Sequence, residues 1–129
     1  MLELALMFPL LVMLILFLVE FGLGLNQQED ATQVASQAAR LAAVNSTALS
    51  GGVAAFVQGQ VDTTNLQSAA VAVCFPNGTS NVGDPVRVTV TSQFNITGLF
   101  VPTISVPVEG SSTMRLEQAP TNFTATGSC

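Results

Sequence analysis

Side chains with strong acid–base or ligand chemistry are few in this 129-residue chain: eight carboxylates, three arginines and two cysteines, with no histidine. Lysine is also absent, so Arg40, Arg87 and Arg115 are the only cationic side chains. Without histidine there is no imidazole general base, and no Ser–His–Asp triad can be assembled. Cys74 and Cys129 cannot build a zinc site by themselves. Gly51-Gly52 lies in an alanine-rich stretch with no GK[ST] or GxGxxG pattern around it, so no phosphate cradle is expected. Glu3 and Glu20 fall in separate parts of an apolar segment, and Asp62, Asp84, Glu109 and Glu117 show no paired spacing. The chain is expected to have no catalytic residues, no metal and no cofactor.

Composition narrows the partners. Charged residues make up 9% of the chain and the formal net charge is −5, with a mean hydropathy of +0.55. Nucleic-acid binding needs a basic patch to neutralise phosphates, so a nucleic-acid partner is not expected. Electrostatic docking on anionic lipid is disfavoured for the same reason. Any relation to a membrane must work through hydrophobicity. The length leaves room for one modest domain.

The elements that carry the two acidic outliers come next. From Leu4 to Val19 no side chain is charged, and the apolar run continues past Glu20 through Phe21-Gly22-Leu23-Gly24-Leu25. That is roughly 22 residues, close to the ~20 that span a hydrocarbon core as a helix. A signal peptide would have a basic start, a shorter apolar stretch and a small-x-small cleavage site. A buried core helix of this length would need a larger domain around it. A single-pass anchor remains a rival reading. Beyond Leu25 the segment turns polar but keeps a stripe of Ala31, Ala35, Ala38 and Ala42, flanked by Val34 and Leu41, at helical spacing. No Gly or Pro interrupts it before Gly51. The pattern predicts one rod of about 40 residues, near 60 Å long at 1.5 Å per residue. Residues 1–25 form its apolar half, 26–46 its amphipathic continuation, and 47–129 a separate small head.

Within the apolar half, Pro9 removes a backbone donor and is expected to kink or loosen the helix around Leu6–Pro9. Gly22 and Gly24 fit either close helix contact or simple flexibility at the membrane exit. A carboxylate at bilayer depth is costly unless paired. Glu20 can reach the interface, and Glu3 can sit among headgroups. Inside a bundle of helices both would need protonation or a cation, and for Glu3 the terminal ammonium of a neighbouring copy is the obvious one.

Two pieces of sequence resemble a known family. Leu2-Glu3-Leu4-Ala5-Leu6-Met7-Phe8-Pro9-Leu10-Leu11, followed by Val19-Glu20-Phe21-Gly22, resembles the opening of TadE-like pilins of the tight-adherence type, within the type IV pilin class. Gln37-Ala38-Ala39-Arg40-Leu41-Ala42-Ala43 is similar to that family's amphipathic segment. Gly83–Val90 and Ser112–Arg115 are similar to its strand patterns, while the middle, from about Thr47 to Asn81, diverges. The resemblance implies a short basic leader cut by a prepilin peptidase. It implies extraction from the cytoplasmic membrane by the pilus assembly machinery into an extracellular filament of bundled helices. It also implies that the matched glutamate, Glu3, helps set subunit register.

The remainder reads as a β-rich head. Val53–Val61 is expected to be a short helix, ending in a polar turn at Asp62-Thr63-Thr64-Asn65. Ala69–Phe75, Val86–Val90, Ile104–Val108 and Thr113–Glu117 alternate apolar and polar residues, the period of half-buried strands. Pro107 demotes the third to an edge. Pro76-Asn77-Gly78 and Asn81–Pro85 carry turn chemistry. The expected fold is α+β: a long N-terminal apolar α-helix followed by a three- or four-stranded antiparallel sheet packed on the alanine face. Such a head is small to rest on burial alone. A Cys74–Cys129 bridge would constrain the unfolded chain by roughly 4 kcal/mol in the chain-entropy model and pin the tail. Two separate thiols are the alternative. The sequons at Asn45, Asn77, Asn95 and Asn122 either mark glycan-bearing loops or arise from a Ser/Thr-rich composition.

These features together predict a structural role. The chain is expected to polymerise with itself through its N-terminal helix as a subunit of an extracellular pilus that serves surface attachment, with Glu3, Pro9 and Glu20 as assembly residues. The alternatives are a minor, assembly-priming pseudopilin, or a single-pass membrane protein whose head binds a partner.

Overall fold

A computed structural model describes residues 2–61, 64–96 and 103–129, with the side chains of residues 2–5 and 64–65 left aside. Helix α1 runs from Leu2 to Ala43. A 3-10 turn at Thr47–Leu49, helix α2 at Val53–Gln60 and a single helical turn, α3, at Thr64–Gln67 follow. Strands β1 (Ala70–Cys74), β2 (Pro85–Ile96) and β3 (Ile104–Arg115) form an antiparallel sheet in the order β1-β2-β3. The chain is thus α+β, a long N-terminal apolar helix with a small antiparallel head.

The second half of α1 is the floor of that head. Ala31, Ala35, Ala38, Ala39 and Ala42 are fully buried, with Val34 close behind. They lie against the inward face of the sheet, where Val86, Val88 and Val90 of β2 and Val108 of β3 are buried at every second position. Alanine brings the helix axis close to the strands, and at Gly110 the approach becomes backbone on backbone. A Cβ placed on Gly110 would lie 2.6 Å from the Ala31 carbonyl oxygen and would also collide with the Ala31 carbonyl carbon and the Thr32 nitrogen. Only a residue without a side chain fits. One turn of helix nearer the N-terminus, the buried Gln27 Nε2 donates to the buried Ser92 Oγ at 3.0 Å.

The helix stops at a Schellman cap. Asn45 takes a left-handed backbone (φ 48°), its N–H donates to Ala42 O, and Ser46 N–H donates to Leu41 O. The last carbonyl, that of Ala43, accepts from Glu117 N–H at 2.7 Å, so the chain leaving β3 covers the helix end. Ser46 then caps the 3-10 turn through its hydroxyl.

The strands depart from expectation in two places. The segments Ile104–Val108 and Thr113–Glu117 are one continuous strand, so the sheet has three members among the described residues. β3 is the edge, and on an edge a proline such as Pro107 need not break the ladder. Thr64 and Asn65, expected in a turn, lie in α3, whereas Asp62 and Thr63 are outside the described residues. The opposite edge, β1, is closed by the C-terminal tail. Thr126 donates its N–H to Val73 O (2.9 Å) and accepts from Val73 N–H through its hydroxyl (3.0 Å). Phe123 is buried beside Phe75, and Cys74 is disulfide-bonded to Cys129 with Cα atoms 5.4 Å apart.

The turn entering β2 is built around Asp84, whose carboxylate accepts from the Thr79 hydroxyl (2.7 Å) and the Asn81 N–H (3.0 Å). Gly83 supplies the positive φ the turn requires. These donors, Thr79 first and then Asn81, hold the Asp84 carboxyl below the ordinary aspartate range. A depressed folded-state pKa gives stability that is present above the unfolded value and lost as pH falls through the folded one.

Two outcomes are expected. In thermal unfolding of the detergent-held chain, Asp84→Asn should melt below the parent at neutral pH, and the gap should close as pH drops well below about 4. Gly110→Ala should destabilise the head by about 1–3 kcal/mol through the forced separation of strand and helix. Gly59→Ala, in α2 with open space around it, should be neutral or up to about 1 kcal/mol stabilising.

Candidate assembly surface

Among the described residues, the first half of α1 is covered only along one stripe. From Leu6 to Leu25 every large apolar side chain is exposed, from 36% at Val12 to 74% at Leu6. A helix that is apolar all round belongs inside lipid or inside a bundle of other helices. Its mean hydropathy reaches 2.6, none of that window is fully buried, and it is long and apolar enough to cross a membrane. Phe17 and Phe21, one turn apart, stack with ring centroids 6.5 Å apart.

The three proposed assembly residues fall at different levels. The helix assignment continues through Pro9 without interruption, and Pro9 is exposed. Glu3 lies in the first helical turn, its side chain outside the described residues. Glu20 is partly buried, unlike its neighbours. It shares the stripe of Gly24, Gln27 and Ala31, the face on which the head sits. Gly24 receives the ring of Phe94, 3.4 Å from where a Cβ would stand, whereas nothing described comes within 4 Å of that position on Gly22. Of the two glycines weighed for close helix contact, Gly24 serves the chain's own head and Gly22 is open.

The four sequon asparagines divide by environment. The Asn45 amide holds the helix cap to the tail: its Oδ1 accepts from the N–H groups of Thr121 and Asn122, both at 3.0 Å, and its Nδ2 donates to the Thr121 hydroxyl at 2.7 Å. Asn122 Nδ2 donates to Asn45 O at 2.8 Å. The nitrogens that would carry glycans are therefore committed at both positions. Asn77 is exposed in the turn Phe75–Gly78. Asn95 is exposed on β2, opposite Ser105, and the threonine of its sequon lies outside the described residues.

Among the described residues no three His, Cys, Asp or Glu side chains gather as a metal site would require. A half-open hollow of about 390 Å³ lies between the start of α2, β1 and the tail, with Gly52, Val53, Val71, Asn122 and Phe123 on its walls. No titratable group lines it, so it offers no acid–base chemistry.

Sequence reasoning missed Gly110, the Gln27–Ser92 pair and the seating of Phe94 on Gly24. A glycine inside a strand pattern is a signal of close backbone approach, and Gly110 carried it. The other two depend on which strand end reaches which helical turn, and no local pattern encodes that.

Residues 1–40 match the family model described as TadE-like protein. Over that segment the chain is similar to TadE-like proteins, and the long apolar helix is compatible with a membrane-anchored pilus component. The match connects it to the Tad pilus system. It ends at Arg40, so the strand motifs lie outside it. No curated protein and no solved structure matches the chain.

Any N-linked glycan is expected on the exposed Asn77 or Asn95 and not on Asn45 or Asn122. Mass spectrometry of tryptic and chymotryptic peptides from the native source checks this, since carbohydrate on Asn45 would require the cap to open.

Proposed function

We propose that this chain is the structural subunit of an extracellular type IV-like pilus of the tight-adherence kind, which polymerises through its N-terminal helix and serves surface attachment. The observation that carries the reading is a single helix with two environments. Residues 6–25 are bare and apolar all round, while residues 27–43 are welded to the head by buried alanines and the Gly110 contact. A hinge-free rod transmits the position of the buried helix to the head, so stacking the helices also arrays the heads.

Leaving lipid is tolerable for some 20 apolar residues only when other helices replace the lipid contacts. Copies of the same helix in a filament core do so by ridge-into-groove packing. Within that core Glu3 would be matched by the terminal ammonium of a neighbour. The assembly machinery and a prepilin peptidase are the partners this reading implies. A compact head closed by its own tail suits a subunit that coats a filament.

Electron microscopy of material sheared from producing cells, with mass spectrometry of its main protein, tests the reading. Thin filaments composed chiefly of this chain are expected. Recovery only in detergent-extracted membranes, without filaments, would instead indicate a minor pilin or a single-pass receptor.

A further inference from the structure

We infer that the paired ends of β2 and β3, Phe94–Ile96 with Ile104–Val106, are a second membrane contact: an uncharged apolar edge that rests in the headgroup–acyl boundary beside α1 while the subunit is held in the bilayer. This rests on the reading of α1 as a membrane-spanning helix.

The levels along the rod place it there. β2 runs antiparallel to α1, with the contact between Ala31 and Gly110 (the partner of Val90) above and the contact between Gly24 and Phe94 below. Between these contacts the helix descends about 10 Å and the strand about 13 Å. Phe94 is therefore seated on a glycine that belongs to the apolar run itself. Ile96 and its partner Ile104 lie about 7 Å further down, at about the level of Glu20. Glu20 is partly covered while Val19 and Phe21 beside it are more than half exposed, so the cover of the head extends to this turn. If the ~30 Å hydrocarbon layer is spanned by the run ending at Leu25, the Ile96–Ile104 pair lies at the depth of the interface.

Its chemistry fits that depth. From Val88 to Val108 the sequence has no charged residue. On the helix-facing side of the strands, Phe94, Ile96, Ile104 and Val106 form an apolar surface continuous with α1. Ile104 and Val106 are 49% and 41% exposed, where the same face higher up is buried. The opposite side at this level carries Gln93, Asn95, Ser105 and Thr103, and β3 has an open backbone edge. Such groups are not tolerated within hydrocarbon. These strand ends accordingly rest at the boundary, apolar side inward, as interfacial segments do.

The chain contains no Trp and no Tyr, so one introduced indole reports alone. Full-length chain carrying Ile104→Trp, and separately Val106→Trp, is reconstituted in phosphatidylcholine vesicles whose acyl chains are brominated either near the headgroup or near the bilayer centre. Phe17→Trp reports on the span and Val82→Trp on the exposed turn at the far end of the head. At positions 104 and 106, emission should be blue-shifted from that at 82 and quenched most by bromine near the headgroup, while Phe17→Trp is quenched most by bromine near the centre. Quenching at 104 and 106 by aqueous acrylamide only, with Phe17→Trp still quenched by lipid, would overturn the proposal and leave the spanning helix intact. Loss of lipid quenching at 17 as well would overturn both. Shielding of 104 and 106 from lipid and acrylamide alike, relieved on dilution of the protein in lipid, would overturn it in favour of a second copy of the chain.

Discussion

The contact of Gly110 with the backbone of Ala31 and Thr32 is the constraint on which the rest of the molecule depends. The helix can lie this close only because alanines fill its inner face and one strand residue has no side chain. That closeness joins a thin sheet to half of a long helix without a large hydrophobic core. The cost is intolerance at this point: the obstructing atoms are main chain, which has no rotamer by which to yield. The buried Gln27–Ser92 hydrogen bond adds direction, fixing which turn of the helix meets which position of β2. A seam of small residues could slide by a turn; a polar pair buried beside it has one register in which both groups are satisfied.

From that fixed register the two halves of α1 acquire different fates. Below Gly24 the large apolar side chains of the helix from Leu6 onward are exposed among the described residues, and an apolar surface of this size calls for lipid or other helices. Above it, the same helix is the interior of the head. The charge distribution follows the division: the carboxylates at Glu3 and Glu20 are isolated in the apolar run, while Asp84, Arg87, Glu109 and Arg115 lie on the head. Glu20 stands on the head-facing stripe, at the junction of the two environments. The head therefore partly covers the carboxylate that stands between the two environments.

Much of this was legible because helix patterns are local. The alanine spacing from Ala31 to Ala42 named the buried face, and the length of the apolar run named the exposed half. Val86, Val88 and Val90 announced their strand by alternation. What stayed hidden is non-local. Pro107 and the sequence Gly110-Ser111-Ser112 look like breaks when read along the chain, yet β3 passes through both, because an edge position spares the proline and the helix requires the glycine. Asn45 read as a sequon; its left-handed backbone and its bonds to Thr121 and Asn122, some 76 residues away, make it the clasp between helix and tail. A short polar motif cannot reveal which of its atoms are already engaged.

The two edges of the sheet are treated differently, and the difference bears on assembly. An unpaired strand edge is a template for pairing with other chains, a hazard for a subunit stored at high density in a membrane. On β1 the tail removes the hazard: Thr126 occupies both polar groups of Val73, Phe123 fills the space over Phe75, and the disulfide to Cys129 holds the arrangement at its far end. On β3 there is no covering strand, and protection comes from sequence, with Pro107 unable to donate and Glu109 and Arg115 placing charge along the edge. Closing one side covalently and blunting the other leaves the bare helix as the largest unpartnered apolar surface among the described residues. Edge-to-edge pairing of heads would compete with helix bundling, and both edges are built against it.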